Sequence, residues 1–582
     1  MYCKFVNGPY KTLNISTLYF GFILLISSHC SYAQRVIAEP ANSLTLISQL
    51  TQFEKQIGPN EKYVIHRLNN ADRNVAGIFS SPIDGSSPAV RLNSPLPLGG
   101  LITFDFKISP DGRFVVYRAN QNESTAQELF SVPIDGSSAP VRLNNSLTDR
   151  GDFLAFEISP DSNLVVYKAD EITAGINNLF VVPVDGSSDA SRIDPDAFTI
   201  VGDTTEVIDA GVPIPTDNPN VNTFKITPDG QNVVYMTAQT AGFAIELFRV
   251  SINGGSRQRL NGDLVGPDTP DREANNPGGD VIDFKISNNG QRVSYLADQI
   301  TDGQFELFTT TINGNNPSRL NSDLIGGGDV TDFIVSEDSQ YVVYQADQNT
   351  NNVFEIFSVQ LDGNNQATRL NTNLVAGDVA NFEISPNSEY VIYTAQQNTE
   401  SVNELYSAPI TGGNLIQLSG GNLIDSNVDS FEISPDNNYV VYRAIVDRQA
   451  RLFRSPIRSA NDSLQLSPNI SFRDVFAGFS ISADSQRVTY RGDFMEIERA
   501  DLLNVSINGG SSILINSPPL NTTGSANVFG FIESPSSEYV IYIALLPRAE
   551  LFSVRLSVEE QNDTELCFPI ISKNDDISVV CL

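Results

Sequence analysis

The sequence predicts an all-β protein, a β-propeller of ten four-stranded blades that closes as one ring. Three observations predict this fold: a segment that repeats about every 50 residues, four strand-length runs in each repeat, and tight-turn residues between the runs. The composition agrees, because 40% of the 582 residues are hydrophobic and only 18% are charged, which suits strands and turns better than a helical bundle.

The repeated segment is best represented by FEISPDNNYVVYRA at residues 431–444. Most copies are separated by 48 to 52 residues, and two gaps are longer, at 68 and 60 residues. The aromatic residue that closes each copy is His66, Tyr117, Tyr167, Tyr235, Tyr295, Tyr344, Tyr393, Tyr442, Tyr490 or Tyr542.

Each repeat continues with a second pattern, such as LFSVPIDG at residues 129–136, and with a short run that ends in Arg-Leu-Asn, such as residues 141–144. Ser-Pro-Asp-Gly between the first two runs and Asp-Gly between the last two are strong signals for tight turns. Four antiparallel strands in about 50 residues is the content of one propeller blade.

Ten blades could form one ring or two rings of five. Two rings need a linker, and the even spacing of 48 or 49 residues from Tyr295 to Tyr490 leaves no room for one. The run at residues 44–47 can supply the missing strand of the last blade and so close the ring, although the C-terminal tail competes for that place. We therefore expect one ring, with two five-bladed rings as the alternative.

The repeated I-S-P-D-x-x-x-V-V-Y segment, followed by L-F-x-V, resembles the WD40-like repeat of TolB-type propellers over residues 44–556. The resemblance implies an exported propeller that binds a protein or ligand in the cell envelope. Prolyl-oligopeptidase-like enzymes carry similar blades. No segment of this chain matches the separate N-terminal domain of TolB.

Residues 1–33 have the features of a secretory signal peptide. Lys4 and Lys11 precede the apolar run at residues 18–26, and Ser31-Tyr32-Ala33 offers a cleavage site before Gln34. The apolar run is too short to span a bilayer, and we expect no transmembrane segment in the mature chain. A lipoprotein attached through Cys30 is the less favoured alternative. The sequence thus predicts a periplasmic or extracellular protein with its propeller at residues 34–556.

The chain has a formal net charge of −33, and the mature chain, with 34 basic and 69 acidic residues, carries about −35. Such a charge keeps a protein soluble and repels nucleic acid. We expect a monomer whose partner, a protein or another ligand, is basic.

Only Cys567 and Cys581 remain after removal of the predicted signal peptide. An isolated pair in an exported protein predicts a disulfide, which would close residues 557–582 as a hairpin tail.

The mature chain has one histidine, His66, and no G-x-S-x-G, H-E-x-x-H, P-loop or dinucleotide motif. We therefore predict no catalytic and no cofactor-binding residue, and interpret His66 as a variant of the repeated tyrosine. The one candidate metal set is the aspartate after a glycine at the start of four blades, where oxygen ligands could bind calcium. Its members are Asp152, Asp280, Asp329 and Asp378. The alternative is that Gly-Asp only forms a good turn.

The residue between Phe and Ile in the first run of each blade is often charged, which predicts pairing between blades or a polar central channel. The charged residues at this position are Lys107, Glu157, Lys225, Lys285, Glu383 and Glu432. The leading functional prediction is a non-catalytic binding scaffold. The alternative is a glycan hydrolase or lyase that uses two carboxylates such as Glu383 and Glu432.

Overall fold

A computed structural model gives the fold of the chain. It describes residues 3–4, 35–38, 42–47, 55–70, 75–97, 100–122, 126–145, 153–173, 175–194, 221–238, 244–265, 279–364, 366–420, 427–460, 462–470, 473–494, 499–516, 527–545, 549–559, 567–571 and 577–581.

All regular secondary structure in these residues is β-strand, and most of it forms ten four-stranded antiparallel sheets arranged as the blades of a propeller. The fold class predicted from the sequence is therefore confirmed. Three strands precede the first blade: β1 (Cys3–Lys4), β2 (Arg35–Ala38) and β3 (Asn42–Ile47).

Blades 1 to 9 each use four strands in chain order. Blade 1 contains β4 (Lys55–Ile57), β5 (Tyr63–Asn70), β6 (Val75–Pro82) and β7 (Val90–Arg91). Blade 2 contains β8 (Ile102–Ile108), β9 (Phe114–Ala119), β10 (Glu128–Pro133) and β11 (Val141–Arg142). Blade 3 contains β12 (Phe153–Ile158), β13 (Leu164–Thr173), β14 (Ile176–Pro183) and β15 (Ser191–Arg192). Blade 4 contains β16 (Val221–Ile226), β17 (Asn232–Ala238), β18 (Ile245–Ser251) and β19 (Gln258–Arg259). Blade 5 contains β20 (Val281–Ile286), β21 (Arg292–Thr301), β22 (Gln304–Thr311) and β23 (Ser318–Arg319).

The second half of the ring repeats this pattern. Blade 6 contains β24 (Val330–Val335), β25 (Tyr341–Ala346), β26 (Glu355–Gln360) and β27 (Thr368–Arg369). Blade 7 contains β28 (Val379–Ile384), β29 (Tyr390–Ala395), β30 (Glu404–Pro409) and β31 (Ile416–Gln417). Blade 8 contains β32 (Asn427–Ile433), β33 (Tyr439–Val446), β34 (Gln449–Pro456) and β35 (Leu464–Gln465). Blade 9 contains β36 (Val475–Ile481), β37 (Arg487–Gly492), β38 (Asp501–Ser506) and β39 (Ile513–Leu514). Blade 10 contains β40 (Asn527–Glu533), β41 (Tyr539–Leu545) and β42 (Ala549–Glu559).

The fourth strand of blade 10 comes from the N-terminal side of the chain. Strand β3 pairs antiparallel with β42, with Asn42 opposite Ser553 and Ile47 opposite Ala549. Blade 10 also packs on blade 1, where Val64 and Ile541 lie in one buried cluster. The chain therefore closes as one ring of ten blades, as predicted, and it is the strand predicted at residues 44–47 that completes the last blade.

The repeated tyrosine lies at the centre of each blade. Tyr393, for example, is fully buried on β29 and stacks on Tyr406 of β30, with ring centroids 5.4 Å apart. In blade 1 the same place is taken by His66, which is buried and stacks on Phe79 at 5.7 Å. The interpretation of His66 as a structural variant of the tyrosine is therefore confirmed.

The Arg-Leu-Asn run holds the short fourth strand to the third. In blade 6, Arg369 forms an ion pair with Glu355 at 2.8 Å, and the Asn371 side chain accepts a hydrogen bond from the Ile356 N–H at 3.0 Å. Leu370 between them is buried. Each residue of the motif thus has a structural partner within its own blade.

The turn between the first and second strands connects neighbouring blades. Its fourth residue has a positive φ, which favours glycine, yet seven blades place a side chain there. In all seven the side chain accepts a hydrogen bond from a backbone N–H in the turn of the preceding blade, and this contact offsets the strain of the left-handed backbone. The seven residues are Glu61, Ser162, Ser339, Ser388, Asn437, Ser485 and Ser537.

A second contact between blades starts at the residue after the repeated tyrosine. The Arg67 Nη1 donates to the Ile102 carbonyl at 2.8 Å, and the Arg443 Nε donates to the Val475 carbonyl at 2.8 Å. Each acceptor lies near the beginning of the first strand of the next blade. Successive sheets are thus joined by side chains that bind backbone groups, in addition to their apolar packing.

The described parts of residues 1–39 and 556–582 form a separate compact unit. Its strands β43 (Cys567–Ile571) and β44 (Ile577–Cys581) are antiparallel, with Cys567 directly opposite Cys581, and β1 pairs with β44. The disulfide stays a prediction. The predicted signal peptide lies outside the described residues except for β1. No helix in the described part of the chain has the length and apolar character needed to cross a bilayer.

Ser485 tests the turn contact, because its Oγ accepts the Asp436 N–H at 3.0 Å while its φ is 58°. Ser485→Ala keeps the strain and loses the bond, whereas Ser485→Gly loses both. We expect the alanine variant to be less stable than the glycine variant by about 1 kcal/mol in chemical denaturation. Peptides containing the Asp436 amide should exchange hydrogen faster in both variants. Equal denaturation midpoints and unchanged exchange would contradict this account.

Candidate functional site

The first strands of the blades line the centre of the ring, where neighbouring sheets come closest. In most blades the first strand contains Phe-x-Ile, and we call the middle residue, or its equivalent in the other blades, the inner position. Polar side chains at the inner position contact the next blade. Donors at this position bind the carbonyl of the next phenylalanine: Gln56 Nε2 donates to Phe106 at 2.9 Å, and Lys107 Nζ donates to Phe156 at 2.7 Å. Lys285 binds the Phe333 carbonyl in the same way.

Acceptors at the inner position bind the N–H of the isoleucine in the next blade. The Glu157 Oε2 accepts from the Ile226 N–H at 2.9 Å, and the Glu432 Oε1 accepts from the Ile481 N–H at 3.2 Å. Glu157 also forms an ion pair with Lys225 of blade 4, at 2.6 Å from Oε1 to Nζ. The sequence prediction of pairing between blades is therefore correct at the junction of blades 3 and 4, and Lys285 of blade 5 also lies 3.6 Å from Asp332 of blade 6. The other contacts described here are to the backbone.

Two of the three glutamates at the inner position lie apart from the lysines, whereas Glu157 lies between Lys107 and Lys225. The three lysines belong to blades 2, 4 and 5, and each one binds protein oxygen atoms. Glu383 and Glu432 belong to blades 7 and 8. Among the described residues nothing donates a hydrogen bond to Glu383, and its side chain is exposed. Surrounding protein atoms nevertheless exclude part of its water and raise its pKa.

A cavity of about 320 Å³ opens at the inner wall of blades 6, 7 and 8. We call it the acidic cavity, because three carboxylates and several neutral oxygen- and nitrogen-bearing groups line it. Two of the carboxylates have a protein cation nearby: Lys285 lies 3.6 Å from Asp332, and Arg443 pairs with Asp429. The polar lining residues are Asp332, Gln345, Asn381, Glu383, Asp429 and Ser430.

Two carboxyl groups on the first strands of blades 8 and 10 have strongly raised pKa values. Partial burial is the main reason that the pKa of Glu432 is raised to about 7; the Ile481 N–H opposes the rise and the Glu383 carboxylate adds to it. Burial likewise raises the pKa of Glu533 to about 7, opposed by Thr489 and Arg487 and reinforced by Glu432 and Asp484. At neutral pH both groups therefore exchange protons readily.

Glu533 was missed by the sequence analysis. It occupies the place of the isoleucine in the repeat, where the other nine blades carry isoleucine or, in blade 6, valine. Its Oε1 is buried and accepts no hydrogen bond in the described residues. An acidic residue at an apolar position of an otherwise regular repeat is the signal that could have identified it.

The predicted calcium ligands have a different contact in the structure. The carboxylates of Asp280, Asp329 and Asp378 accept the N–H that begins the third strand of the preceding blade, at 2.6, 2.8 and 2.8 Å. Asp152 lies outside the described residues. Within the described ranges no three histidine, cysteine, aspartate or glutamate side chains come close enough to hold a metal ion. These aspartates connect blades, and calcium binding stays a prediction.

No protein-family model matches the sequence, and no curated protein matches it. Solved structures that resemble this chain include a prolyl endopeptidase, with 12% identity and a TM-score of 0.33 over 62% of this chain and 54% of that one. This alignment thus spans about half of the endopeptidase. A putative TolB from Agrobacterium tumefaciens has 14% identity and a TM-score of 0.26, over 48% of this chain and 83% of that one. An oligogalacturonate lyase from Vibrio parahaemolyticus has 10% identity and a TM-score of 0.35, over 72% and 99%. At these values the likenesses carry no argument about function.

Glu533 should make the stability of the protein depend on pH. The pKa of Glu533 is higher in the folded chain than the ordinary value of 4.5. Its contribution to the free energy of unfolding is therefore fully present below about pH 4.5 and is lost as the pH rises through about 7. We expect Glu533→Gln to remove part of the fall in thermal stability between pH 5 and pH 8, on the order of 1 kcal/mol or more.

The exposed Glu400 provides the matched control, since Glu400→Gln makes the same chemical change outside the ring interior. Thermal unfolding of both variants at several pH values is the measurement. An identical pH profile for Glu533→Gln and the unaltered protein would contradict the assignment.

Proposed function

We propose that this protein is an exported, non-catalytic binding propeller that holds a basic partner or ligand at the acidic cavity of blades 6 to 8. The proposal combines the sequence prediction of export with the charge of the inner wall. It matches the role in the cell envelope that the resemblance to TolB-type propellers implies, in the periplasm or outside the cell.

The observation that carries the proposal is the unequal use of charges on the inner wall. Lys107, Lys225 and Lys285 each bind an oxygen atom of the protein. The Glu383 carboxylate, by contrast, receives no hydrogen bond from any described residue. A wall whose cations are occupied and whose carboxylate remains available is suited to a positively charged group from outside.

The net charge of the chain favours the same kind of partner. A formal charge of −33 attracts cationic molecules and increases their rate of encounter with the protein. The exposed carboxylates at the cavity then fix where a cationic group is retained. The same charge is the basis of the sequence prediction that the protein does not bind nucleic acid.

Neutralising the acidic cavity should release the partner. We expect tagged residues 34–582 to retain at least one reproducible protein from an envelope extract of the source cell. The triple variant Asp332→Asn, Glu383→Gln, Asp429→Asn should lose most of it, because the charge at the cavity is removed. Capture followed by mass spectrometry is the measurement.

The control has the same change in net charge at a different place. Asp135, Asp185 and Asp362 are exposed and accept hydrogen bonds within their own hairpin turns, and asparagine can keep those bonds. The corresponding triple asparagine variant should retain the partner. Equal retention by both triple variants would overturn the assignment of the cavity.

A second candidate function is supported by the pair Glu383 and Glu432, which lie on the first strands of neighbouring blades. The two carboxylates influence each other, and the pKa of Glu432 is about 7. One protonated and one ionised carboxyl is the arrangement that glycan hydrolases use for acid and base or nucleophile. We keep a glycan hydrolase or lyase as the alternative to a binding protein.

A panel of glycans tests this alternative. If the protein is such an enzyme, it should cleave a member of the panel. Glu383→Gln should then lower the rate of cleavage by several orders of magnitude while the fold remains intact. The rate of release of reducing ends or unsaturated products is measured, with circular dichroism as the control for folding. No cleavage of any glycan by the unaltered protein would count against this function.

A further inference from the structure

The ring contains two copies of one carboxylate arrangement, at Glu157 and at Glu432. Both residues occupy the inner position, and in both one carboxylate oxygen accepts the isoleucine N–H of the next blade. The second oxygen of Glu157 binds the ammonium group of Lys225, which stands at the inner position of blade 4. The equivalent residue next to Glu432 is Ser480, whose short side chain carries no charge.

The Glu157 arrangement therefore shows which group binds the second oxygen of such a carboxylate. At blades 3 and 4 the partner is a primary ammonium at 2.6 Å. At blades 8 and 9 the second oxygen of Glu432 accepts no hydrogen bond from the described residues. Ser480 donates no hydrogen bond to this oxygen, so an ammonium group from outside the chain can take the place that Lys225 has on Glu157.

We propose that the inner wall between blades 8 and 9 binds a primary ammonium group of the partner or ligand, held by Glu432 in the place that Lys225 occupies on Glu157. The proposal rests on the proposed binding function and narrows it from a basic group in general to an ammonium group. A guanidinium is planar and larger, and it has no counterpart in the Glu157 arrangement.

Glu533 provides an independent observation at the same place. It lies close enough to Glu432 for the two carboxyls to influence each other, and its buried Oε1 has no hydrogen-bond donor among the described residues. Arg487 lies near enough to lower the pKa of Glu533, but its Nη2 donates to the Ser537 carbonyl at 2.6 Å, and its buried Nε and Nη1 form no hydrogen bond with a described residue. An ammonium group has three N–H donors, so one that binds Glu432 keeps two donors for other acceptors.

Binding at this site is coupled to loss of protons. The charged group that raises the pKa of Glu432 is Glu383, and the charged groups that act on Glu533 are Arg487, Glu432 and Asp484. With a pKa of about 7, Glu432 is mostly protonated at pH 6 and mostly ionised at pH 8. Ammonium binding should therefore be about tenfold weaker at pH 6 than at pH 8.

Adding the missing lysine is the sharpest test. Ser480→Lys should place an ammonium on Glu432 and stabilise the protein at pH 8 relative to Ser480→Met, which adds similar bulk without charge. The gain should disappear when Glu432→Gln is added to each variant, as a double-mutant cycle measures. No gain, or a gain that persists with Glu432→Gln, overturns the proposal.

The second test uses n-butylammonium chloride as the probe and n-butylguanidinium chloride as its control, at equal ionic strength. The thermal midpoint of residues 34–582 should rise with butylammonium at pH 8, because a ligand that binds only the folded state stabilises it. Glu432→Gln should weaken the effect about tenfold. An equal effect of butylguanidinium, or an unchanged effect in the variant, overturns the ammonium site.

The capture experiment identifies the source of the ammonium group. It also distinguishes failure of the ammonium site from failure of the proposed binding function. A partner that Ser480→Lys no longer retains supplies the ammonium as a lysine side chain. If butylammonium binds but every captured partner is retained by Ser480→Lys, the site serves a free amine. If the triple variant of the acidic cavity loses the partner while neither lysine insertion nor butylammonium has an effect, the binding function stands and the ammonium site is wrong.

Discussion

The hydrogen bond from a side chain of one blade to the backbone of its neighbour is the contact on which the ring depends. A four-stranded sheet is complete in itself, so nothing in its own hydrogen bonding fixes the angle to the next sheet. Apolar packing between blades is strong but nearly free of direction. Directional contacts occur at three levels of a junction: the turn residue with positive φ, the inner position and the aspartate that begins the next blade. Together they fix the small rotation that lets ten blades close.

The candidate site arises where this system is left incomplete. A carboxylate at the inner position is harmless when the next blade offers both an N–H and a cation, as around Glu157. Glu432 has the N–H but faces a serine, and Glu383 has neither. The candidate site therefore uses the same position of the repeat as the junctions that hold the blades together. The two differ only in the residue that the next blade places beside the carboxylate.

Much of the fold could be predicted because the chain contains ten copies of one repeat, and each copy gives the same strand and turn signals. The period, the turn signals and the extra strand at residues 44–47 were sufficient for the blade count, the single ring and its closing strand. The chemistry could not be predicted in the same way. Asp280 suggested a metal ligand because its sequence neighbours show a turn, whereas its partner, the Ile245 N–H, lies 35 residues away in another blade.

The carboxyl groups show the same limit. Whether Glu383 is available depends on the residues of the adjoining blades, because its own repeat begins with the same Phe-Glu-Ile-Ser-Pro sequence as the repeat of Glu432. Glu533 could have been noticed as an exception to an apolar column. Its altered pKa, however, depends on burial between sheets, which pattern alone does not describe.

The closing strand has a consequence for how the protein is made. Strand β3 is synthesised about 500 residues before its partner β42, so it leaves the ribosome first and is paired last. Until the tenth blade exists, its backbone groups form an open edge that any other strand could use. Closure of the ring therefore competes with misassociation of this edge, and a chaperone that covers a single short strand would protect the whole molecule.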